Sequence, residues 1–533
     1  MLRRAAVAAV AAIGVLAVSS AVLSAKDQDF DPSRKLRLVD QLIETFYVDS
    51  VPSGEMVDNA IVAMLKTLDP HSSYTDPQET KELTEPLQGN FSGIGVQFRM
   101  INDTLYVVQT VAGGPSERVG IVAGDRIIAA NDTAISGVKM PNNEVMRHLR
   151  GPKGTTVAVD VLRKGSNEPI EFRIVRDDIP LYSVDAHYMA APGVGYVRVS
   201  RFAETTADEV REAMADLSKQ GMTDLIIDLQ DNGGGYLGTA VELAEMFLNK
   251  DDLIVYTDGM RVSPAHYYAK NNGTFRNGRV TLLVNQYSAS ASEILSGALQ
   301  DNDRGAVVGR RTFGKGLVQR PFPMPDGSMI RLTVARYYTP SGRCIQKPYE
   351  LGEGDDYRDD MLHRYQSGEF SSADSIHFAD SLRYNTLRLG RTVYGGGGIM
   401  PDRFVPVDTT FYSDYYRDLL AKGVFASYSV KYVDEHRQQI LKKYPTEDAY
   451  VNGFVVDQPI IDGLIKAATD EGIAYNAEEF ATSREYIEAV MKALIGTDLY
   501  SRSLYYRVMN PLNPTYREGL RLMTEPGAYE AVF

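Results

Sequence analysis

Apolar positions along the chain change period several times, and the changes divide it. Leu36, Leu38, Val39, Leu42 and Ile43 recur at helical spacing, and after the turn Val51-Pro52-Ser53-Gly54 so do Val57, Ile61, Val62, Met64 and Leu65. This pattern predicts an N-terminal helical hairpin. Further on, residues 194–199, 224–229, 280–285, 306–308 and 331–338 read as strands, with helical spacing at 206–219, 239–248 and 292–300 between several of them. That alternation predicts an α/β (α+β) core. Beyond residue 402 the period is helical again, at 412–420, 433–442, 458–471, 477–494 and 515–522. A helical C-terminal domain follows, expected either to self-associate or dock an adaptor, or simply to pack onto the core. The charged, tyrosine-bearing stretch 350–381 has no clean period and reads as a surface loop with a short helix, with no chemistry assigned to it.

Length and charge narrow the picture. At 533 residues a single core is not expected, and three or four units are. The net charge of −14 disfavours nucleic acid and acidic membrane surfaces as partners. The single cysteine, Cys344, excludes an intrachain disulfide and a cysteine-rich metal site, and reads as a packing residue. At the start, Arg3 and Arg4 precede an uncharged stretch, 5–25, in which Ser19-Ser20-Ala21 resembles a small-residue cleavage site. Residues 1–25 are therefore expected to be an export signal. The stretch is long enough to cross a bilayer, so an inner-membrane anchor is the alternative; its alanines, Gly14 and serines favour cleavage.

Candidate chemistry concentrates in two segments, Ser288-Ala289-Ser290-Ala291-Ser292-Glu293 and Thr312-Phe313-Gly314-Lys315-Gly316 with Gln319. They offer a serine nucleophile and a lysine base without histidine. A serine hydroxyl needs a base to remove its proton, and a lysine serves only while its amine is neutral, which burial promotes. Phe313, Leu317 and Val318 around Lys315 predict such a poorly solvated position. A turn into the apolar run 294–299 would place backbone N–H groups where they can stabilise an oxyanion. Gly309 and Gly314-Lys315 also have the spacing of a phosphate-binding loop, but Gly316 stands where a magnesium-binding Ser or Thr is needed, and no amphipathic helix follows. The segment Asp228-Leu229-Gln230-Asp231-Asn232-Gly233-Gly234-Gly235 reads as a strand ending in a glycine-rich turn. His148, His187, His266, His363, His377 and His436 lie outside any catalytic or metal-ligand spacing, and no metal or other cofactor is expected. His71, in Leu68-Asp69-Pro70-His71-Ser72-Ser73-Tyr74, reads as a capping or packing residue.

These motifs, S-A-S-A-S-E-I, G-A-L-Q-D and V-V-G-R-R-T-F-G-K-G-L-V-Q, closely resemble the carboxy-terminal processing (tail-specific) protease family. The resemblance spans about Lys35 to Asp402, taking in Thr339-Pro340-Ser341-Gly342-Arg343 and the glycine run 394–402. It implies a crotonase-like ββα protease core with an inserted PDZ domain. It further implies Ser290 as nucleophile, Lys315 as general base, and Gln319, one helical turn after the lysine, as the side chain that positions the amine. Ala291 and a glycine, Gly234 favoured over Gly233 and Gly235, form the implied oxyanion hole. The family usually has arginine where Gln230 stands, which puts a local salt bridge in doubt.

Asn90-Phe91-Ser92-Gly93-Ile94-Gly95-Val96-Gln97-Phe98 resembles the carboxylate-binding loop and strand of a PDZ domain, with Gly93, Ile94, Gly95 and Val96 as the peptide-carboxylate site. Segments 111–116, 123–128 and 142–149 continue that match. Such a loop presents N–H groups to a terminal carboxylate while the peptide adds to the strand edge. The expected division is 1–25 signal or anchor, 26–82 helical, 83–177 PDZ, 178–404 protease core and 405–533 helical. The resulting expectation is a serine endopeptidase of a bacterial periplasm or envelope that cleaves free, mostly apolar C-terminal tails of exported proteins. Its rivals are a noncatalytic PDZ scaffold and a Ser-Lys hydrolase of small esters or lactams.

Overall fold

A computed structural model describes residues 32–166 and 168–533. The export segment, residues 1–25, lies outside the described residues. Two units are distinguished among the described residues, 32–68 and 69–533. The first contains the helices Pro32–Phe46 and Ser53–Leu65.

In the second unit, alternation along parallel strands builds a sheet buried on both faces. The order is Val184–Ala191, Val194–Val199, Asp224–Asp228, Val280–Val284, Ala306–Gly309 and Arg403–Phe404, antiparallel for the first pair and parallel thereafter. Leu225, Ile227, Leu282 and Val284 turn to one side, against helices Thr206–Lys219, Leu237–Glu245 and Ala291–Asp301. Their neighbours Ile226 and Leu283 turn to the other, as a period of two requires. There they meet Tyr516, Leu522 and Met523 of Pro514–Thr524. For this last helix, packing onto the core is the observed arrangement.

A second, antiparallel sheet joins Ser73–Thr75, Met329–Tyr338, Leu253–Gly259 and Val262–Tyr268, with Leu317–Pro323 also paired to Met329–Tyr338. The lysine loop is followed by this strand and by no helix, which removes the phosphate-loop reading.

The PDZ sheet runs Val96–Ile101, Thr104–Thr110, Arg126–Ala130, Thr156–Leu162, Ile170–Val175, around its own core of Leu105, Ile127, Val145 and Val159. Asn90–Gly93 pairs with Asp177–Pro180, so entry and exit of the insertion leave side by side. Six helices between Asp414 and Met509 share a separate core that includes Leu419, Leu464, Ile487 and Leu504. In the 350–381 stretch, helix Gly354–Gln366 braces the lysine loop: Arg364 donates to Thr312 O at 3.1 Å and Arg311 O at 2.7 Å. Among the described residues no helix is long and apolar enough to cross a membrane.

Candidate active site

Two turns, one after Asp224–Asp228 and one after Val280–Val284, are stitched together by the serines that flank Ser290. Ser288 Oγ donates to Leu229 O at 2.7 Å and accepts from Asn285 N–H at 2.9 Å, and Ser292 Oγ donates to Asn232 O at 2.9 Å. Both side chains are fully buried and committed to backbone partners. Ser290, between them, heads helix Ala291–Asp301 with φ 55° and ψ −112°. A β-carbon-bearing residue in this region carries backbone strain that the surroundings must impose.

Glu293 supplies that imposition. Its carboxylate accepts the N–H of Ser290 at 2.8 Å, of Gly314 at 2.8 Å and of Lys315 at 2.9 Å, and the Thr312 hydroxyl at 2.5 Å. One fully buried side chain thus fixes the serine turn and the lysine loop together; burial pushes its carboxyl up to about 7 against these donors. Tyr337 OH makes a second bridge, donating to Ser290 O at 3.1 Å and to Lys315 O.

Ser290, Lys315 and Gln319 line one cleft of about 360 Å³ with Gly233, Gly234 and Gly235. Lys315 Nζ donates to Gln319 Oε1 at 3.1 Å. Gln319 lies on a strand and not one turn along a helix; a register shift at Val318/Gln319 accompanies its turn towards the amine. Burial lowers the Lys315 amine to about 8, helped by the Arg331 guanidinium and opposed by Glu293 and Asp69. Asp69 is held by Ser72 Oγ at 2.5 Å and Thr333 Oγ1 at 2.8 Å. His71 bonds Tyr357 OH at 2.9 Å and packs edge-on against its ring; burial, with Lys315 nearby, lowers it to about 4, so it is neutral at physiological pH.

Gly234 is pressed against Ser290: a β-carbon there would lie 2.8 Å from Ser290 Cβ and 3.0 Å from Ala291 N. Its φ of +100° needs glycine as well. Its N–H, however, donates to Asn232 Oδ1 at 2.8 Å, which leaves Gly233 and Gly235 as the glycines of this turn whose N–H groups are not engaged by a described residue. Arginine is absent at position 230, yet Asp228 has a guanidinium partner: Arg198 Nη1 reaches its Oδ2 at 2.9 Å from the neighbouring strand, and Arg198 Nη2 donates to Gln230 O at 2.9 Å.

In the PDZ loop, Ser116 N–H and Oγ both donate to Ile94 O, at 3.0 and 2.6 Å, and Val111 N–H donates to Gly95 O at 2.9 Å. The loop carbonyls are thereby tied back, while the N–H groups of Ile94 and Gly95 donate to no described residue. Gly95 has φ +74°, which favours glycine, and a β-carbon there would make a tight contact of 3.0 Å with Ile179 Cδ1. Val96 opens the strand Val96–Ile101.

Glu293, Tyr337, Asp69 and Arg198 were not singled out from sequence. Only Glu293 carried a signal, a Glu three residues after a helix-heading Ser, which is capping-box spacing. Cys344 is part-buried and its thiol is pushed up by burial, in keeping with packing.

Three stretches of the chain match known families. Residues 193–352 match Peptidase family S41, 92–174 match the PDZ domain, and 415–501 match a family of unknown function (DUF8443). The chain is 36% identical over 309 residues to the carboxy-terminal-processing protease of Bartonella bacilliformis, covering 57% of this chain and 70% of that one. It is 38% identical to the carboxyl-terminal-processing protease of Synechocystis, covering 57% and 72%, and 34% identical to the carboxy-terminal processing protease CtpB of Bacillus subtilis, covering 61% and 67%. The chain therefore belongs to the carboxy-terminal processing protease family, serine endopeptidases of family S41 that carry a PDZ domain.

Proposed function

We propose that the protein cuts peptide bonds near the free C termini of exported proteins by a Ser290–Lys315 pair. The observation that carries this is Lys315: a buried amine with a depressed pKa, held by Gln319 in the cleft that Ser290 lines. Neutral Lys315 Nζ takes the proton of Ser290 Oγ as that oxygen bonds to the substrate carbonyl carbon. The carbonyl oxygen becomes an oxyanion over the Ala291 N–H and that of Gly235 or Gly233. Lys315 then protonates the departing amine nitrogen, the C–N bond breaks, and an ester on Ser290 remains. Water, losing a proton to Lys315, attacks the ester; the C–Oγ bond breaks, Ser290 recovers the proton, and a new carboxyl terminus is released. In the family to which the chain belongs, the PDZ loop at Gly93, Ile94, Gly95 and Val96 is the natural receptor for the substrate's own carboxylate.

The test is digestion of unfolded proteins with apolar or charged C termini, read by intact mass. Lys315→Ala should lower turnover by about 10²–10⁴-fold and Ser290→Ala at least as much, with tail binding retained. Undiminished cleavage by Lys315→Ala would remove it as the base, and tail binding without cleavage by the wild type would favour the scaffold. We further infer that residues 1–25 direct the chain to a bacterial envelope, checked by the N-terminal sequence of the mature protein in fractionated cells.

A further inference from the structure

A cavity of about 860 Å³ opens along the PDZ strand Val96–Ile101, away from Ser290. One wall is Ile94, Val96 and Phe98 with Met146 and Leu149 of helix Asn142–Leu149; the other is Thr497 and Asp498 of Ala477–Leu499 with Tyr505 of Arg502–Met509. The PDZ unit is also joined to a neighbouring helix, Val424–Lys443. Arg99 Nη1 donates to Ala426 O at 3.1 Å and Ser429 Oγ at 3.2 Å, and Lys164 Nζ donates to Asp434 O at 2.8 Å.

Strand Val96–Ile101 is the edge of its sheet, paired only with Thr104–Thr110 among the described residues. Its other side is free to accept an added strand. Val96, Phe98 and Met100 turn to the PDZ core, so Gln97 and Arg99 turn the other way, and Arg99 reaches the C-terminal helices. Asp498 is only 4% exposed, yet its Oδ2 has no hydrogen-bond partner; the nearest cation, Arg99 Nη1, is 3.6 Å away. A buried acceptor without a donor is costly unless a ligand supplies one.

We propose that the C-terminal helical region is the second wall of the peptide groove, and that Asp498 accepts a hydrogen bond from a side chain about three residues before the substrate's terminus. The proposal rests on the reading that the PDZ loop captures a free carboxylate. An antiparallel strand whose terminal residue lies opposite Val96 brings the residue three places upstream opposite Arg99. Opposed residues point to the same face, so the terminal side chain enters the apolar pocket of Ile94, Met146 and Leu149 while the third one back faces Asp498. Arg99 and Arg437 already flank Asp498, so a hydroxyl or amide donor suits the site better than a cation.

Fluorescent peptides with an apolar terminal residue, carrying Ser, Asn or Leu three places before it, are titrated against full-length Ser290→Ala protein, each also as a C-terminal amide. Ser and Asn should bind about fivefold tighter than Leu, the worth of one hydrogen bond. Asp498→Leu should erase that preference while sparing the Leu peptide, and Thr497→Trp, at a half-buried position on the same wall, should weaken all three acids about tenfold. A preference unchanged in Asp498→Leu, or full-strength binding by Thr497→Trp, overturns the proposal. Amides binding as tightly as acids would instead overturn carboxylate capture itself. Should Asp498→Leu fail to fold, Thr497→Trp decides alone.

Discussion

As the proposed base Lys315 has to be neutral to act, and burial and Arg331 move its proton affinity towards that condition. With the amine at about 8, it is mostly protonated below that pH and mostly free above it. The kcat/KM profile for peptide cleavage should therefore rise with an apparent pKa near 8 and level off above. Removing the Arg331 charge takes away a factor that lowers the amine, so Arg331→Gln should shift this limb to higher pH; a shift to lower pH would contradict the assignment. The same depression is a cost to the fold. A lysine whose amine is lower folded than unfolded contributes fully only above about 10.5 and loses that contribution as pH falls through about 8. At pH 7 Lys315→Met should therefore raise stability by about 1–3 kcal/mol in urea denaturation while abolishing cleavage. At this scale the sequence was readable where a run of residue types marks a local environment, as in the apolar neighbours that predict a poorly solvated Lys315. It was mute where a backbone N–H is at stake: Gly234 looks like its neighbours until Asn232 is seen to occupy its donor.

Among the elements, the junction of strands Val194–Val199 and Asp224–Asp228 replaces an arginine that the motif lacks. Parallel register sets Arg198 beside Asp228, and Tyr196 OH joins it at 2.7 Å, so the glycine turn leaves from a carboxylate that is fully buried and charge-paired. Breaking such a pair by removing one partner strands the other in a dry site. Arg198→Met should cost about 3 kcal/mol by thermal or urea unfolding. Gln230 Nε2 already lies 3.2 Å from Asp228 Oδ1, so Gln230→Arg added to Arg198→Met should recover part of that loss. No recovery would mean that Arg198 acts through packing, including its contact with the Tyr506 ring. Strand and helix identities here were legible because a buried parallel sheet demands unbroken apolar runs. The pairing of residues 198 and 228 was not, since register is set by neighbours 30 positions apart.

For the whole molecule, the last helix is cover for the sheet as much as part of the C-terminal region. Tyr516, Leu522 and Met523 bury Ile226, Leu283 and Val308 on the face opposite helices Thr206–Lys219, Leu237–Glu245 and Ala291–Asp301. Truncation after Asn513 should expose that face and give aggregated protein by gel filtration; a soluble, active product would show the cover to be dispensable.

Motif residues, the apolar period of each strand and helix, and the order of units were determined by the sequence itself, because these depend on side-chain chemistry and near neighbours in the chain. Tertiary structure alone decided which donors remain free, how deeply Lys315 is desolvated, that Glu293 fastens the serine turn to the lysine loop, and that the C-terminal helices face the PDZ strand. Each of these depends on which distant segments meet, and solvation and hydrogen-bond partners are properties of that meeting rather than of the residues.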